Sequence, residues 1–269
     1  MKIVSLMDNV AASDAYVSRH GLSFYIETEG RRILFDAGPD ESFLENAEKL
    51  GIDLSKVDFA VLSHGHYDHG GGLMAFCRVN DRAPIYMQAQ ALDPYYAHDP
   101  DKIRYIGLSD ELRHSSRVRL YSGDVQLGNG IQLFSGVTER KLYSPGNAAL
   151  FMECGGEQVP DLFVHEQNLL LTERGHSVLV AGCAHSGMVN ILGKAQTLAE
   201  TPITHVFGGM HLKGTSDRKA FARTLAGRLK QENCVFYTCH CTSVEGYEAM
   251  AEVMGRQIHY LAAGETVVC

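Results

Sequence analysis

The stretch Leu62-Ser63-His64-Gly65-His66-Tyr67-Asp68-His69-Gly70 places three imidazoles and a carboxylate within six positions. It follows the apolar run Phe59-Ala60-Val61-Leu62 and leads into Gly70-Gly71-Gly72. A short β-rich run of this kind predicts a buried strand, and residues 70–77 predict the helix after it. The cluster therefore belongs to a strand-to-helix turn, a setting that an exposed His-rich loop would not have. In extended backbone alternate side chains share one face, so His64 and His66 are expected to reach one metal ion together. Asp68 and His69 come where the chain turns into the helix and suit a second ion, about 3.5–4 Å from the first as two-metal sites go. The three glycines are expected to let backbone approach the site without Cβ clashes.

The rest of the chain supplies elements for two sheets. Strands are predicted at 2–7, 22–27 and 31–35, with "TEGR" (28–31) as a hairpin turn, and a helix at 41–50. Residues 83–88 and 117–123 read as strands, and a loop-rich insertion is expected at about 89–116. The second half repeats the pattern, with a hairpin at 168–182, helices at 188–200, 217–232 and 243–255, and strands at 203–209 and 234–240. Strand hairpins followed by strand–helix alternation predict two sheets packed together with helices outside, in one domain covering residues 1–269.

The chain has 269 residues, 45% apolar and 21% charged, as expected of an ordinary globular protein. No apolar run nears the roughly 20 residues of a membrane helix, and the first residues read as a strand rather than a signal peptide. A formal charge of -8 disfavours tracking along nucleic acid. Seven cysteines, an odd number, with no secretory signal point to reduced thiols and a cytoplasmic location. The expected partner is a small, anionic substrate, with no nucleic acid and no membrane; a homodimer is admitted.

The segment His64-Gly65-His66-Tyr67-Asp68-His69 is identified as the HxHxDH signature of the metallo-β-lactamase superfamily. Beyond the signature, "HGLSFYIETEGRRILFDAG" (20–38), "LSHGHYDHGGGL" (62–73), "GCAHSGMVNIL" (182–192), "GGMHL" (208–212) and "CHCTS" (239–243) resemble one branch of it. That branch contains proteins described as dihydropterin-aminobenzene phosphate synthase-like, or dihydropteroate-synthase-related. The resemblance implies an α/β fold, the αββα sandwich of two mixed sheets flanked by helices. It also implies two divalent ions, zinc in the first place and manganese or iron as alternatives.

The resemblance gives His64, His66, Asp68 and His69 as metal ligands and carries the last ligand to His240, at the end of a strand. Most relatives end an earlier strand in a bridging Asp within a "GD" pair, whereas here Gly182 is followed by Cys183-Ala184-His185. Either His185 supplies a ligand from two positions on, or Cys183 takes the bridging place. His211 is a further candidate as ligand, substrate contact or proton donor. Cys239 and Cys241 are expected to pack on the opposite face from His240. His20 is read as a surface or packing residue with a branch motif around it. His165 falls near where the superfamily has another His ligand, in a poorly matching context. Asp36 is expected to orient the His loop without being catalytic.

A metal pair activates water and polarises the oxygen of an ester or phosphoester, so no Ser or Cys nucleophile is needed; no G-x-S-x-G or P-loop is present. The expected reaction is attack by metal-bound hydroxide on a small phosphorylated or ester substrate, with Asp68 and His211 as catalytic residues. Arg19, Arg140, Lys141 and Lys213 are candidate anion partners, and Tyr67, Tyr95, Tyr96 and Tyr105 candidate pocket aromatics. Two rival readings stand beside the hydrolase: a pterin-related synthase-like condensing enzyme, and a non-catalytic metal-containing ligand-binding or sensor protein.

Overall fold

A computed structural model describes residues 1–28 and 30–269. Two compact units emerge. The first comprises residues 1–122, 149–166 and 262–269, and the second residues 123–148 and 167–261.

The first unit is built on a seven-stranded mixed sheet in the order Thr266–Val268, Lys2–Met7, Ser23–Thr28, Arg31–Phe35, Phe59–Val61, Ile85–Gln88 and Val118–Tyr121. The three strands 2–7, 23–28 and 31–35 form an antiparallel meander, and the next three run parallel. At the turn between the second and third, Thr28 pairs with Arg31 and Gly30 has φ +78°; Glu29, part of the expected "TEGR" turn, lies outside the described residues. One core of this unit gathers Leu6, Leu34, Phe43, Leu62, Leu73, Phe76 and Ile85, so the helices Ser42–Lys49 and Leu73–Val79 pack against this sheet through their apolar faces.

Residues 89–116, read from the sequence as loop-rich, hold more order than that. Strands Tyr95–Asp99 and Lys102–Tyr105 join Leu150–Cys154 and Glu157–Pro160 in a four-stranded antiparallel sheet. Tyr95 and Ala97 pack with Ile106 in a small core of their own. The sequence hid this sheet because half of it comes from about 50 residues further on.

The second unit carries another seven-stranded mixed sheet: Ile258–Tyr260, Val235–Thr238, Ile203–Phe207, His176–Val180, Gln167–Glu173, Ile131–Ser135 and Val125–Gly128. Helices Met188–Leu198, Arg218–Leu229 and Val244–Met254 bury Ile191, Leu225 and Met250 in its core with Leu170, Leu179, Val206 and Phe236. Strand ends of both sheets carry the histidines singled out above.

Candidate functional site

In the first unit the strand Phe59–Val61 ends at Leu62, and the short helix Tyr67–Gly70 begins three residues after His64. All three imidazoles are buried, with His64 and His69 at 0% exposure and His66 at 5%. The His64 ring centroid lies 4.5 Å from that of His66 and 4.1 Å from that of His69. His64 thus stands beside both neighbours, and the tidy division of the sequence reading into two pairs is not visible in the ring positions. As expected, the glycines let backbone approach closely. A Cβ on Gly71 would come within 2.0 Å of Pro39 O and one on Gly72 within 2.1 Å of Ala37 O, so they let this turn press on the backbone after Phe35.

That backbone carries Asp36, whose side chain organises the cluster. Asp36 is fully buried and has φ +57°, a left-handed conformation that Asp tolerates better than most residues. Its Oδ1 accepts the Ser63 N–H at 2.7 Å, and its Oδ2 accepts the Ser63 hydroxyl at 2.7 Å and His69 Nδ1 at 2.6 Å. The His69 proton therefore sits on Nδ1, and Nε2 is the nitrogen that carries the lone pair. Ser63 has spent its only proton on Asp36, so it accepts from His64 Nδ1 at 2.9 Å. His64 too is left with its lone pair on Nε2. One carboxylate fixes two tautomers, which strengthens the orienting role expected for Asp36.

His66 is held differently. Its Nε2 lies 3.9 Å from Asp161 Oδ2, and the same oxygen receives His165 Nε2 at 3.1 Å. Gly65 N–H donates to His165 Nδ1 at 2.8 Å, so His165 carries its proton on Nε2 and both of its nitrogens are engaged. His165 is consequently a support for the His loop rather than the ligand its sequence position suggested. Gly65 is required here, because an added Cβ would meet Ala91 O at 2.3 Å. Burial alone would raise the Asp161 carboxyl, but the His165 and His66 imidazoles outweigh it and hold that group well below the usual carboxylate range. Burial also pushes His66 downward, favouring the neutral ring that a metal needs. Asp68 is 9% exposed, and its Oδ2 lies 3.3 Å from Nε2 of His20, whose sequence context suggests a surface or packing residue.

Tyr95, a candidate pocket aromatic, is instead core: it is fully buried, its ring lies 4.0 Å from that of His165, and its hydroxyl donates to Gln90 O at 2.7 Å. Tyr67 and Tyr105 are 37% and 52% exposed and remain available to solvent.

In the second unit, His185, His211 and His240 are all buried. Asn147 holds His185 by two bonds, its Nδ2 donating to His185 O at 2.8 Å and its Oδ1 accepting from His185 Nδ1 at 2.9 Å. His185 therefore also keeps its lone pair on Nε2. The rings of His185 and His211 are 4.1 Å apart. His240 does not continue the strand Val235–Thr238; it opens a 3-10 turn, His240–Thr242, with φ +48°. The expected strand alternation fails there. Cys241 turns toward His211, whose N–H donates to Cys241 Sγ at 3.2 Å. Burial would raise the Cys241 thiol, but the Cys183 side chain and the His211 and His240 imidazoles hold it well below its ordinary range.

The donor chemistry in both units fits divalent metal: buried imidazoles with fixed tautomers, a carboxylate and thiols. The metallo-beta-lactamase superfamily model matches residues 18–187. The chain belongs to the metallo-beta-lactamase superfamily. Divalent metal is typical of this superfamily, most of whose members are enzymes. The α/β sandwich class expected from the sequence is the superfamily's fold. Among relatives, the 7,8-dihydropterin-6-methyl-4-(beta-D-ribofuranosyl)-aminobenzene-5'-phosphate synthase of Methanocaldococcus jannaschii is 27% identical over 284 residues, covering 99% of this chain and 96% of the relative. A solved structure of a metal-dependent hydrolase of the beta-lactamase superfamily superposes with a TM-score of 0.84 at 27% identity, covering 100% of this chain and 99% of the other. Zn(2+)-bound PqqB from Methylobacterium extorquens shares the fold, with a TM-score of 0.61 at 13% identity over 100% of both chains. Among the described residues no helix is long and apolar enough to cross a membrane.

Proposed function

We propose that this protein is a metal-dependent hydrolase of a small phosphorylated or ester substrate, using two divalent ions. The ligand set is the one expected from the sequence: His64, His66, Asp68 and His69 in the first unit, and His185, His240 and His211 in the second. The observation that carries the reading is the tautomer arrangement. Asp36 and Ser63 leave Nε2 of His64 and His69 as the lone-pair nitrogens, and Asn147 does the same for His185.

Divalent ions held there would supply an activated water and polarise the substrate's oxygen. Asp68, acceptor-only when ionised, orients the proton of the attacking water. His20 stands at the outer side of Asp68, 36% exposed, where it can share a proton with that carboxylate. In place of ligation, the other role open to His211 is to donate a proton to the leaving oxygen. Members of this superfamily at 27% identity include a metal-dependent hydrolase, which favours hydrolysis.

The test is metal content by mass spectrometry together with turnover of phosphomonoesters, phosphodiesters, lactones and thioesters under Zn²⁺, Mn²⁺ or Fe²⁺. Two ions per chain and turnover of one class are expected. Fully metallated protein that turns over none of them would favour the sensor reading. The name of the Methanocaldococcus relative supports a second reading, condensation onto a phosphorylated substrate. Release of pyrophosphate or phosphate only when an aromatic amine acceptor is added would identify it.

A further inference from the structure

Cys183, His211 and Cys241 are all buried in the second unit, and one ligand atom from each lies within 4.8 Å of the others. Two ligands on one ion with bonds of about 2.3 Å can be at most about 4.6 Å apart. The three donors thus stand close to the spacing that one ion requires. His211 Nδ1 is buried and makes no hydrogen bond among the described residues. Its backbone N–H already points at Cys241 Sγ, the kind of donor that steadies a thiolate.

The surrounding backbone is shaped for this arrangement. A Cβ on Gly209 would stand 2.3 Å from Cys241 Sγ, so glycine leaves the space the sulfur occupies. Ala184, next to Cys183, has φ +54°, His211 has φ +42°, and His240, next to Cys241, has φ +48°. Three non-glycine residues in left-handed backbone around three donors is the kind of local strain that clusters at binding sites.

We infer that Cys183, His211 and Cys241 form a thiolate-rich metal site that selects a soft or borderline ion such as Zn²⁺ over hard ions such as Mg²⁺ or Mn²⁺. On binding, each thiol gives its proton to solvent and each sulfur becomes a ligand; no oxidation is involved. The inference rests on the proposed function in taking the protein to bind metal and in counting His211 among the ligands.

The experiment is X-ray absorption at the zinc edge and electronic absorption of the Co²⁺-substituted protein, both on the full chain. Expected are sulfur scattering at about 2.3 Å and a sulfur-to-cobalt charge-transfer band in the near ultraviolet. Cys241→Ser should halve the sulfur contribution, and Cys183→Ser/Cys241→Ser should abolish the band. A purely nitrogen and oxygen shell around bound metal in the unmodified protein overturns this inference and leaves the hydrolase reading standing. A sulfur signature without turnover of any substrate does the reverse. Failure to bind Zn²⁺ or Co²⁺ at all overturns both. Because the decisive spectra come from the unmodified chain, a variant that fails to fold does not remove the test.

Discussion

Replacing Asp161 with Asn tests how the His loop is held. The Asp161 side chain is fully buried, and its two oxygens accept the Phe163 N–H at 2.7 Å and His165 Nε2 at 3.1 Å. Asn has one acceptor oxygen and one NH₂ in the same volume. Whichever way it turns, one of the two donors then faces another donor. The loss is one hydrogen bond to a charged group, about 1.5–3 kcal/mol. For a chain of this size each kcal/mol moves Tm by roughly 2–4 °C, so Asp161→Asn should melt about 3–12 °C lower in calorimetry of metal-free protein. The pH dependence separates charge from shape. The folded carboxyl is held below its ordinary range, so its contribution is complete above the unfolded value of about 3.9 and is lost as pH falls through the folded one. The gap between wild type and variant should be constant from pH 5 to 7 and shrink below about pH 4. Equal melting temperatures at pH 7, or a gap that widens in acid, would refute the reasoning.

Asp36→Asn keeps a residue that tolerates φ +57° but cannot satisfy three donors; urea denaturation should show a loss of at least about 1.5–3 kcal/mol, with metal affinity lowered about 10–100-fold in competition titrations. Gly65→Ala drives a methyl into Ala91 O and should cost about 1–3 kcal/mol or more in thermal denaturation. Burial in the second unit pushes the Cys234 thiol up to about 11, so iodoacetamide at pH 8 should label exposed Cys154 and leave Cys234 until the protein unfolds. The stability contributed by that thiol is complete below its unfolded value, about 8.5, and fades as pH rises toward about 11. Chelation should lower Tm, since metal at a hundredfold excess over Kd contributes about 2.7 kcal/mol; an unchanged Tm after verified metal removal counts against both ligand clusters.

Local pattern made much of the fold legible. Strands 2–7 and 31–35 and helices such as Met188–Leu198 stand where apolar periodicity and turn residues put them. The strand-to-helix turn at the His cluster was equally local, so His64 to His69 stood out. What escaped the sequence depends on distant or left-handed backbone. His165 reaches Gly65 across 100 positions, and Asp161 stands behind both His165 and His66, which no window of neighbouring residues reveals. Asn147 has no motif that links it to His185. Cys241 was placed on the wrong face because period-2 alternation assumes extended backbone, and His240 breaks it with a positive φ that only coordinates disclose. His20 was undervalued because half-exposed histidines are common, and its partner Asp68 lies 48 residues further on.

The bond between Gly65 and His165 also orders events in time. A chain emerging from the ribosome presents His64, His66 and His69 about a hundred residues before the imidazole that braces their loop has been made. During that interval the three rings belong to a turn that one of its buttresses has not yet reached; Asp36 and Ser63 hold His64 and His69, and His66 still lacks Asp161. Metal bound in that interval would meet a turn without its His165 brace. Metal met after residue 165 has arrived is met by a braced one. The timing of supply, and not only the ligand set, would then bear on which ion the finished protein holds.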